Sequence, residues 1–274
     1  MSVLLCVHPH PDDESIACGG VLARAAAEGV RTVVVTCTGG EEGENLAGID
    51  LGDVPLVEHR RRELDAAVAI LDVTVHHRLG YRDSGMAGTA GNDHPASFHR
   101  ADLDEAAARL AAIVRAERPD AVVSDDEHGS YGHPDHIKAH HVTVRAVALA
   151  ADPDAAVPGE PWRVPRRYVH TFSRTRLLDA HRALLAAGLA SPFGDDDEPA
   201  PFGVDDAQVT TRVDVTGHVA TKIAAMGAHA SQIGPDAFFM NVPADLVDTF
   251  LGVEEFILEE GTAPAGGADV LVVP

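Results

Sequence analysis

The chain has 274 residues, 45% of them hydrophobic and 23% charged, which is typical of a globular protein with one large domain or two small ones. The formal net charge of −22 disfavours nucleic acid and anionic membrane surfaces as partners. The sequence has neither the roughly 18 consecutive apolar residues of a membrane span nor the start of a signal peptide, so we expect a cytoplasmic protein. The three cysteines form no C-x-x-C motif, and we expect small buried residues without disulfides.

Strands and helices alternate in the predicted order of residues 1–150. Short apolar runs predict buried strands, and longer Ala-rich segments with apolar residues at i, i+3 and i+4 predict helices. The predicted strands span residues 2–7, 30–38, 73–79 and 120–126, and the predicted helices span residues 14–28, 57–71, 101–119 and 132–151. This alternation is typical of an α/β fold with a Rossmann-like, mostly parallel sheet and helices on both faces.

The pattern after residue 150 is weaker. A Pro-rich connection precedes a predicted strand at 166–173, and an acidic, exposed loop at 191–206 precedes a predicted strand at 209–217 and a helix at 218–232. We therefore predict two parts. Residues 1–150 form a Rossmann-like catalytic core, and residues 151–274 form a smaller C-terminal α/β subdomain that caps the active-site edge of the sheet and completes the substrate pocket.

Polar residues follow each of the four strands predicted in the first part. They are His10–Glu14, Glu41–Glu44, Asp83 and the segment Asp125–His136. Ligands of open parallel sheets bind beyond the carboxyl ends of the strands, so these four loops are predicted to meet at one site. The acidic run at 41–44 is compatible both with a solvated turn and with a place in that site.

The first and last of these segments contain the residue types of a catalytic zinc site. His10 and Asp13 are close enough in sequence for a tight turn to direct both at one point, and His136 can complete a His/Asp/His set that leaves a position for water. Asp12 must point elsewhere because adjacent side chains diverge, and a free carboxylate beside the metal suits a general base. His133, one helical turn before His136, can stabilise an oxyanion or protonate the leaving group.

Neighbouring residues have simpler interpretations. His8 is predicted to end the first strand without a catalytic role, and Glu14 to complement the positive end of a helix. Asp135 is predicted either to cap a helix or to orient a metal ligand. His140 lies four residues after His136 and can form a metal pair with it, but a packing or supporting role is the favoured interpretation.

The motifs "HPDDE" and "GHPDH" together resemble the PIG-L-type (LmbE-like) zinc N-deacetylases, which remove acetyl groups from N-acetylglucosaminyl compounds. The stretches "VTCTGGEEGE", "RDSGMAGT" and "KIAAMGAHASQI" are similar to members of this family that act on N-acetylglucosaminyl-inositol (GlcNAc-Ins) in mycothiol biosynthesis. The resemblance covers nearly the whole chain, although residues 45–59 and 127–130 depart from the family pattern. It implies a metal-dependent amide hydrolase that releases acetate and a free amine.

The resemblance also implies roles for the residues of the two motifs. His10, Asp13 and His136 are implied to hold Zn²⁺, with Fe²⁺ or Mn²⁺ as alternative metals. Asp12 is implied to be the general acid and base. His133 is implied to polarise the amide carbonyl or to stabilise the tetrahedral oxyanion.

Three further residues match substrate-contacting positions of the family. Tyr131 matches a mobile tyrosine that contacts the substrate and the intermediate. Asp83 matches a carboxylate that binds sugar hydroxyls, and Arg60 matches an arginine that contacts the substrate. The implied partner is a small amino-sugar substrate, and a homo-oligomer is compatible with the sequence.

Other functions remain open at this stage. The nearest alternatives are a mycothiol S-conjugate amidase and a deacetylase of another amino sugar, such as an antibiotic precursor. A Mg²⁺-binding receiver module also places acidic residues after its first strand, but His10, His133 and His136 suit zinc better than an all-oxygen magnesium site. A nucleotide-binding module is disfavoured because the chain has no G-x-G-x-x-G or P-loop pattern.

Overall fold

The computed structural model describes residues 1–188, 191, 203–237, 240–264 and 271–273. Most of the acidic loop predicted at 191–206 therefore lies outside the described residues. The helices and strands, in chain order, are β1 (Val3–His8), α1 (Asp13–Ala27), β2 (Arg31–Thr38), α2 (Leu56–Ile70), β3 (Val75–Tyr81), α3 (Leu103–Glu117), β4 (Ala121–Ser124), the one-turn α4 (Gly129–Gly132), α5 (Pro134–Ala151), β5 (Arg166–Thr171), α6 (Arg174–Ala186), β6 (Thr211–Asp214), α7 (Val219–Ala228), α8 (Val247–Leu251) and β7 (Val253–Gly261).

The described strands form one seven-stranded sheet in the order β3-β2-β1-β4-β5-β7-β6. The five strands from β3 to β5 are mutually parallel, and β7 runs antiparallel to both of its neighbours. The strand order reverses between β1 and β4, which is the topological switch point where ligands of such sheets bind. The mostly parallel α/β fold predicted from the sequence is confirmed.

Helices cover both faces of the central strand β1, whose residues are all buried. Leu5 and Val7 face a cluster that contains the buried apolar residues of α3 and α5. Leu4 and Cys6 face the opposite cluster, which contains those of α1. Burial on both sides explains why this strand is a continuous apolar run rather than an alternating one. All three cysteines are free and buried, as predicted.

The chain beyond residue 150 extends the same sheet. The strands predicted at 166–173 and 209–217 correspond to β5 and β6, and the helix predicted at 218–232 corresponds to α7, which ends at Ala228. Helix α6 and strand β7 have no counterpart in the prediction. The division at residue 150 stays a prediction, since the sheet continues across it. None of the described helices has the length and hydrophobicity that a membrane span requires.

Buried glutamates of β7 connect it to the surrounding helices. Glu254 accepts hydrogen bonds from the backbone N–H groups of Gly20 and Val21 in α1, each at 2.8 Å, and from Lys222 Nζ in α7 at 2.6 Å. Glu255 accepts a hydrogen bond from the Ser173 backbone N–H at 2.8 Å. A buried charge is costly unless it is paired and hydrogen-bonded, and these donors supply that compensation.

A buried arginine holds the end of helix α5. Arg115 of α3 is 5% exposed and donates to five backbone carbonyl oxygens. Three of these acceptors lie at the end of α5 or just after it, at Leu149, Ala150 and Asp152. The last carbonyl groups of a helix have no partner inside the helix, so the guanidinium satisfies acceptors that would otherwise be buried and unpaired.

Replacing this arginine is expected to destabilise the fold. Arg115→Met removes the donors while keeping much of the side-chain volume, and we expect a loss of about 3 kcal/mol in the free energy of unfolding. Chemical denaturation measures this change. The control is Arg62→Met, because the Arg62 side chain is 59% exposed and pairs only at the surface. A similar, small effect of both substitutions would contradict the role assigned to Arg115.

Candidate metal and catalytic site

The loops that follow β1, β3 and β4 meet at the carboxyl edge of the sheet. His10 lies in the loop after β1, and its Nε2 atom is 3.4 Å from Asp83 Oδ1, which follows β3. The same Nε2 atom is 3.2 Å from Asp135 Oδ2, at the start of α5. The ring centroids of His10 and His136 are 5.2 Å apart. The predicted convergence of these loops on one site is therefore present in the structure.

Asp13 lies between the two histidines predicted to share a metal with it. Its Oδ2 atom is 3.4 Å from His10 Nδ1 and 3.6 Å from His136 Nε2. Ligand atoms on a tetrahedral zinc ion are ~3.3 Å apart, given the usual zinc–nitrogen and zinc–oxygen bond lengths. The spacing of these donor atoms therefore fits an ion of that size.

The second nitrogen of each histidine bonds to a carboxylate. His136 Nδ1 is 2.7 Å from Asp125 Oδ1, and His10 Nε2 faces Asp135 and Asp83. Metal-bound histidines characteristically donate their other N–H group to a carboxylate, which fixes the ring and strengthens the ligand. Burial opposes the charged form of His10, but the three nearby carboxylates hold its pKa well above the usual value. This environment favours a cation at the site.

Other groupings of donor atoms are also close together among the described residues. His10, His133 and His136 form one group, and His10, Asp83 and Asp135 form another, with ligand atoms within 4.8 Å of one another. The carboxylates of the second group already accept backbone hydrogen bonds, at 2.8 Å from Gly85 to Asp83 and at 2.8 Å from Ser84 to Asp135. These bonds suit Asp83 and Asp135 to orienting His10. A third group, Cys6, His8 and Cys18, lies in the core.

Asp12 has an unusual backbone and a different environment from Asp13. Its φ of 122° and ψ of −31° place it in a region that residues other than glycine rarely adopt. Its N–H group donates to Glu14 Oε2 at 3.0 Å, and its Oδ2 atom accepts from Arg60 at 3.2 Å. Burial raises the pKa of Asp12 to about 6, against the opposing charge of Arg60. A carboxyl group with such a pKa suits proton transfer near neutral pH.

Arg60 lies behind Asp12. It is 3% exposed, and it donates to Pro11 O at 2.7 Å and Gly40 O at 2.8 Å as well as to Asp12. These contacts connect helix α2 to the loops after β1 and β2. The substrate contact expected of Arg60 stays a prediction, and the structure adds a second feature, namely that its guanidinium holds the Asp12 carboxylate.

His133 caps helix α5, and this fixes which of its nitrogens carries the proton. Its Nδ1 atom accepts a hydrogen bond from the Asp135 backbone N–H at 3.1 Å. Burial, together with the nearby His10 and His136, lowers the pKa of His133 to about 4. The ring is therefore neutral at pH 7, and because Nδ1 is an acceptor the proton is on Nε2. A neutral imidazole with a free Nε2–H can donate to a developing negative charge.

Tyr131 lies in the strained turn α4, before this cap. The preceding residue, Ser130, has a φ of 59°, and Tyr131 is 57% exposed. The Tyr131 Oη atom is 3.5 Å from His136 Nε2, so the exposed ring already touches the candidate metal site. The segment 127–130 that departs from the family pattern leads into this turn and shares Gly129 and Ser130 with it, so that departure lies next to the site.

The acidic run at 41–44, after β2, forms hydrogen bonds with Asp83. Glu41 Oε2 accepts from the Asp83 backbone N–H at 2.8 Å, and the Glu42 backbone N–H faces Asp83 Oδ2 at 3.3 Å. Burial opposes ionisation of Asp83, but its contact with His10 holds its pKa below the usual value. Glu41 and Glu42 therefore lie beside Asp83, and a functional role of the run stays a prediction.

Several residues of the site were not assigned from the sequence. Asp125 accepts from His136 and also faces His170 Nε2 at 2.9 Å. His140 Nδ1 contacts the backbone oxygen of Asp125 at 3.0 Å, consistent with the supporting role favoured for it. His229, which belongs to the distant motif "GAHASQ", binds Glu14. Asp125 directly follows β4, so its strand-end position was an available signal, whereas the partners of His170 and His229 depend on the completed sheet.

A cavity of about 500 Å³ opens beside the cluster, on the side of Asp12, Asp13, Tyr131 and His136. Its remaining wall combines apolar residues, namely Ile16, Ala17, Phe172, Leu177, Ala180, Phe250, Leu251 and Val253, with the polar or charged residues Ser130, His170, Thr171, Arg176, Lys222, Thr249, Glu254 and Glu255. Cavities of this size accept small molecules with apolar groups.

The arrangement at the switch point defines an α/β protein with a candidate His/Asp metal site and a second carboxylate, that of Asp12, beside it. The family model described as PIG-L, GlcNAc-PI de-N-acetylase, matches residues 5–147. The chain belongs to the PIG-L family of deacetylases, as its two His-Asp motifs predicted.

Individual relatives match over nearly the whole chain. A 1D-myo-inositol 2-acetamido-2-deoxy-alpha-D-glucopyranoside deacetylase from Thermobispora bispora is 45% identical, covering 94% of this chain and 88% of the relative. A protein of the same name from Geodermatophilus obscurus is 46% identical, covering 95% and 94%. Among solved structures, the conserved protein TT1542 from Thermus thermophilus has a TM-score of 0.64 and 26% identity, covering 97% of this chain and 98% of that one.

The carboxylate behind His136 is expected to set metal affinity. Asp125→Asn removes the charge that strengthens His136 as a ligand, and we expect Zn²⁺ affinity to fall about 10–100-fold. Competition with a chromophoric chelator measures this affinity. Asp126→Asn is the matched control, because the adjacent carboxylate contacts only the backbone of its own turn at 3.0 Å and Asn keeps that acceptor. Equal affinities of the two variants would exclude the role of Asp125.

Proposed function

We propose that the protein hydrolyses the acetamide of GlcNAc-Ins, giving acetate and the free amine, as a step of mycothiol biosynthesis. The names of the relatives support this substrate, and family membership supports the reaction class. The proposal includes a cytoplasmic location and a small amino-sugar substrate. A homo-oligomer stays a prediction.

One observation carries the chemistry of this proposal, namely that two adjacent aspartates face different partners. Asp13 faces His10 and His136, whereas Asp12 faces Arg60 and has a pKa raised by burial to about 6. Metal-assisted amide hydrolysis requires this division, with one carboxylate as a ligand and another free to move protons.

His10, Asp13 and His136 would hold the metal, and the donor set of two imidazoles and a carboxylate fits Zn²⁺. Two nitrogens and one oxygen leave a coordination position open, as catalytic zinc sites do. When bound, zinc supplies Lewis acidity toward a carbonyl oxygen and lowers the pKa of water. Fe²⁺ and Mn²⁺ accept the same ligands and stay alternatives.

Other residues of the site transfer the proton, stabilise the oxyanion and contact the substrate. Asp12 takes a proton from the water that attacks the acetyl carbonyl, and it returns that proton to the nitrogen as the amide C–N bond breaks. His133 donates from Nε2–H to the oxyanion of the tetrahedral intermediate, which its neutral state and the acceptor role of Nδ1 support. Tyr131, beside His136 and exposed, contacts the substrate. Asp83 binds sugar hydroxyls, and Arg60 orients Asp12 and the adjacent part of the substrate.

Substitution of Asp12 and His136 separates proton transfer from metal binding. Asp12→Asn is expected to keep the wild-type metal content and to lower kcat at least about 100-fold, because the amide cannot accept the proton. His136→Ala is expected to lose the metal, because it removes a ligand. Acetate release from GlcNAc-Ins and metal analysis measure the two effects. Unchanged turnover in Asp12→Asn, or a full metal content in His136→Ala, would show that the roles are wrong.

The cavity favours a second candidate, an amidase that acts on a larger amide such as a mycothiol S-conjugate. An acetyl group fills only a small part of a cavity of about 500 Å³, and the apolar residues of its wall offer contacts that the polar GlcNAc-Ins does not need. The metal site and the proton-transfer residues would be the same for both substrates.

Filling the cavity tests this second candidate. Leu177→Trp places a bulky ring in its wall and is expected to lower kcat/KM on a bimane conjugate of mycothiol about 10-fold or more while sparing GlcNAc-Ins, because only the larger substrate extends into the cavity. Leu178→Trp, on the same helix and outside the cavity wall, is the matched control. Equal responses of both substrates to Leu177→Trp would argue against use of the cavity by the conjugate.

A further inference from the structure

The four residues His229–Gln232, here the HASQ segment, follow helix α7 and contact three other parts of the site. His229 Nε2 is 2.7 Å from Glu14 Oε1 in α1. Ser231 donates to both carboxylate oxygens of Glu63 in α2, at 2.7 Å from its N–H and 2.6 Å from its hydroxyl. Gln232 Nε2 donates to Glu44 O in the acidic run at 2.8 Å.

The first contact leads to the proposed base through a single side chain. The carboxylate of Glu14 divides its oxygens: Oε1 faces His229 and also accepts from Ser15 Oγ at 2.6 Å, whereas Oε2 accepts from the Asp12 backbone N–H at 3.0 Å. Glu14 and His229 are both 0% exposed, so water cannot replace either partner. The imidazole therefore fixes the orientation in which Glu14 holds Asp12.

The second contact leads to the same aspartate from the opposite side. Glu63 lies one helical turn after Arg60 on α2, so the bond from Ser231 fixes the helix that carries the arginine. Arg60 in turn donates to the Asp12 carboxylate and to the carbonyl oxygen of Pro11. The backbone and the side chain of Asp12 are thus each held by a residue that the HASQ segment anchors.

We propose that His229 is a positioning residue for Asp12, acting through Glu14, and that Ser231 supports the same aspartate through α2 and Arg60. The inference rests on the proposed role of Asp12 in proton transfer. A backbone with φ of 122° is strained for an L-residue and persists only where its surroundings impose it. The Glu14 carboxylate is the acceptor that the Asp12 N–H uses in this conformation.

A graded series at position 229 tests this proposal. His229→Leu removes the donor, His229→Asn has a donor too short to reach Glu14, and His229→Gln presents its amide N–H near the position of Nε2. We expect kcat to fall on the order of 10–100-fold in the Leu and Asn variants, with metal content and KM nearly unchanged, because a base that moves by about an ångström loses activity of this size. The Gln variant is expected to keep most of the wild-type kcat.

Met226→Ala is the control for loosened packing. Met226 is fully buried in α7, the helix that the HASQ segment follows, and its truncation leaves a cavity without removing a bond to the site. It is expected to lower thermal stability as much as the changes at 229 and to leave kcat of the folded enzyme unchanged. Equal kcat values for the Gln and Asn variants would overturn the proposal, and this comparison stands even if His229→Leu does not fold.

A structural readout separates this proposal from the proposed function. In a crystal structure of His229→Asn, the Asp12 N–H is expected to lose Glu14 and its φ to leave the positive region, whereas His229→Gln keeps both. An unchanged Asp12 in the Asn variant would overturn the positioning role, whatever the enzyme does. Absence of acetate release by the metal-loaded wild type would instead contradict the proposed function.

Discussion

The conformation of Asp12 is the constraint on which the site depends. The side chains of adjacent aspartates diverge, but divergence alone does not determine which group the second carboxylate faces. The positive φ of Asp12 turns its carboxylate toward Arg60, so that Asp13 alone faces His10 and His136. A conformation of this kind needs support from several directions, and Glu14 and Arg60 supply it from α1 and α2. The strained backbone of Asp12 thus separates the proposed base from Asp13, the proposed metal ligand.

The acidic character of the chain has a structural use inside the protein. Glu14, Glu63, Glu254 and Glu255 are all buried, and each accepts hydrogen bonds from a part of the chain outside its own helix or strand. A buried carboxylate with several donors connects more elements than an apolar side chain can, and its loss leaves those donors unpaired. The negative charges that contribute to the net charge of −22 therefore do not all lie at the surface, because several glutamates are buried and hydrogen-bonded.

Much of the fold follows from short-range patterns, and the failures have a common cause. The apolar runs located β1, β2 and β4, and the helix predicted at 14–28 differs from α1 by one residue at each end. Strand β7 was missed because "VEEFILEE" is rich in glutamate, a residue depleted in strands. The compensating donors, such as Lys222 and the N–H groups of α1, are distant in sequence. A local pattern cannot reveal that a charge will be buried when its partners come from elsewhere.

The candidate site likewise contains residues that a local motif indicates and residues whose partners are distant in sequence. The two motifs drew attention to His10, Asp12, Asp13 and His136 because the residues within each motif are close together in sequence. The residues that hold them came from remote segments: Asp125 from the end of β4, His170 from β5 and His229 from the end of α7. Asp125 has a local signal, its position directly after β4, whereas His170 and His229 are single polar residues whose partners come from other parts of the chain. The residues proposed for the chemistry could be named from the sequence, whereas the contacts that hold them could be seen only in the assembled sheet.

The switch point between β1 and β4 has a consequence for how the protein folds. The two strands pair in parallel, Leu4 with Ala121 and Cys6 with Val123, so the two halves of the site come from segments made far apart in the chain. A metal ion that needs ligands after both strands binds only conformations in which this central pairing has formed. The binding free energy of such a metal would then stabilise the pairing of β1 with β4, a long-range parallel contact of the kind that forms slowly during folding. With the proposed ligand set, metal supply during synthesis would be a factor in the yield of folded protein as well as in its activity.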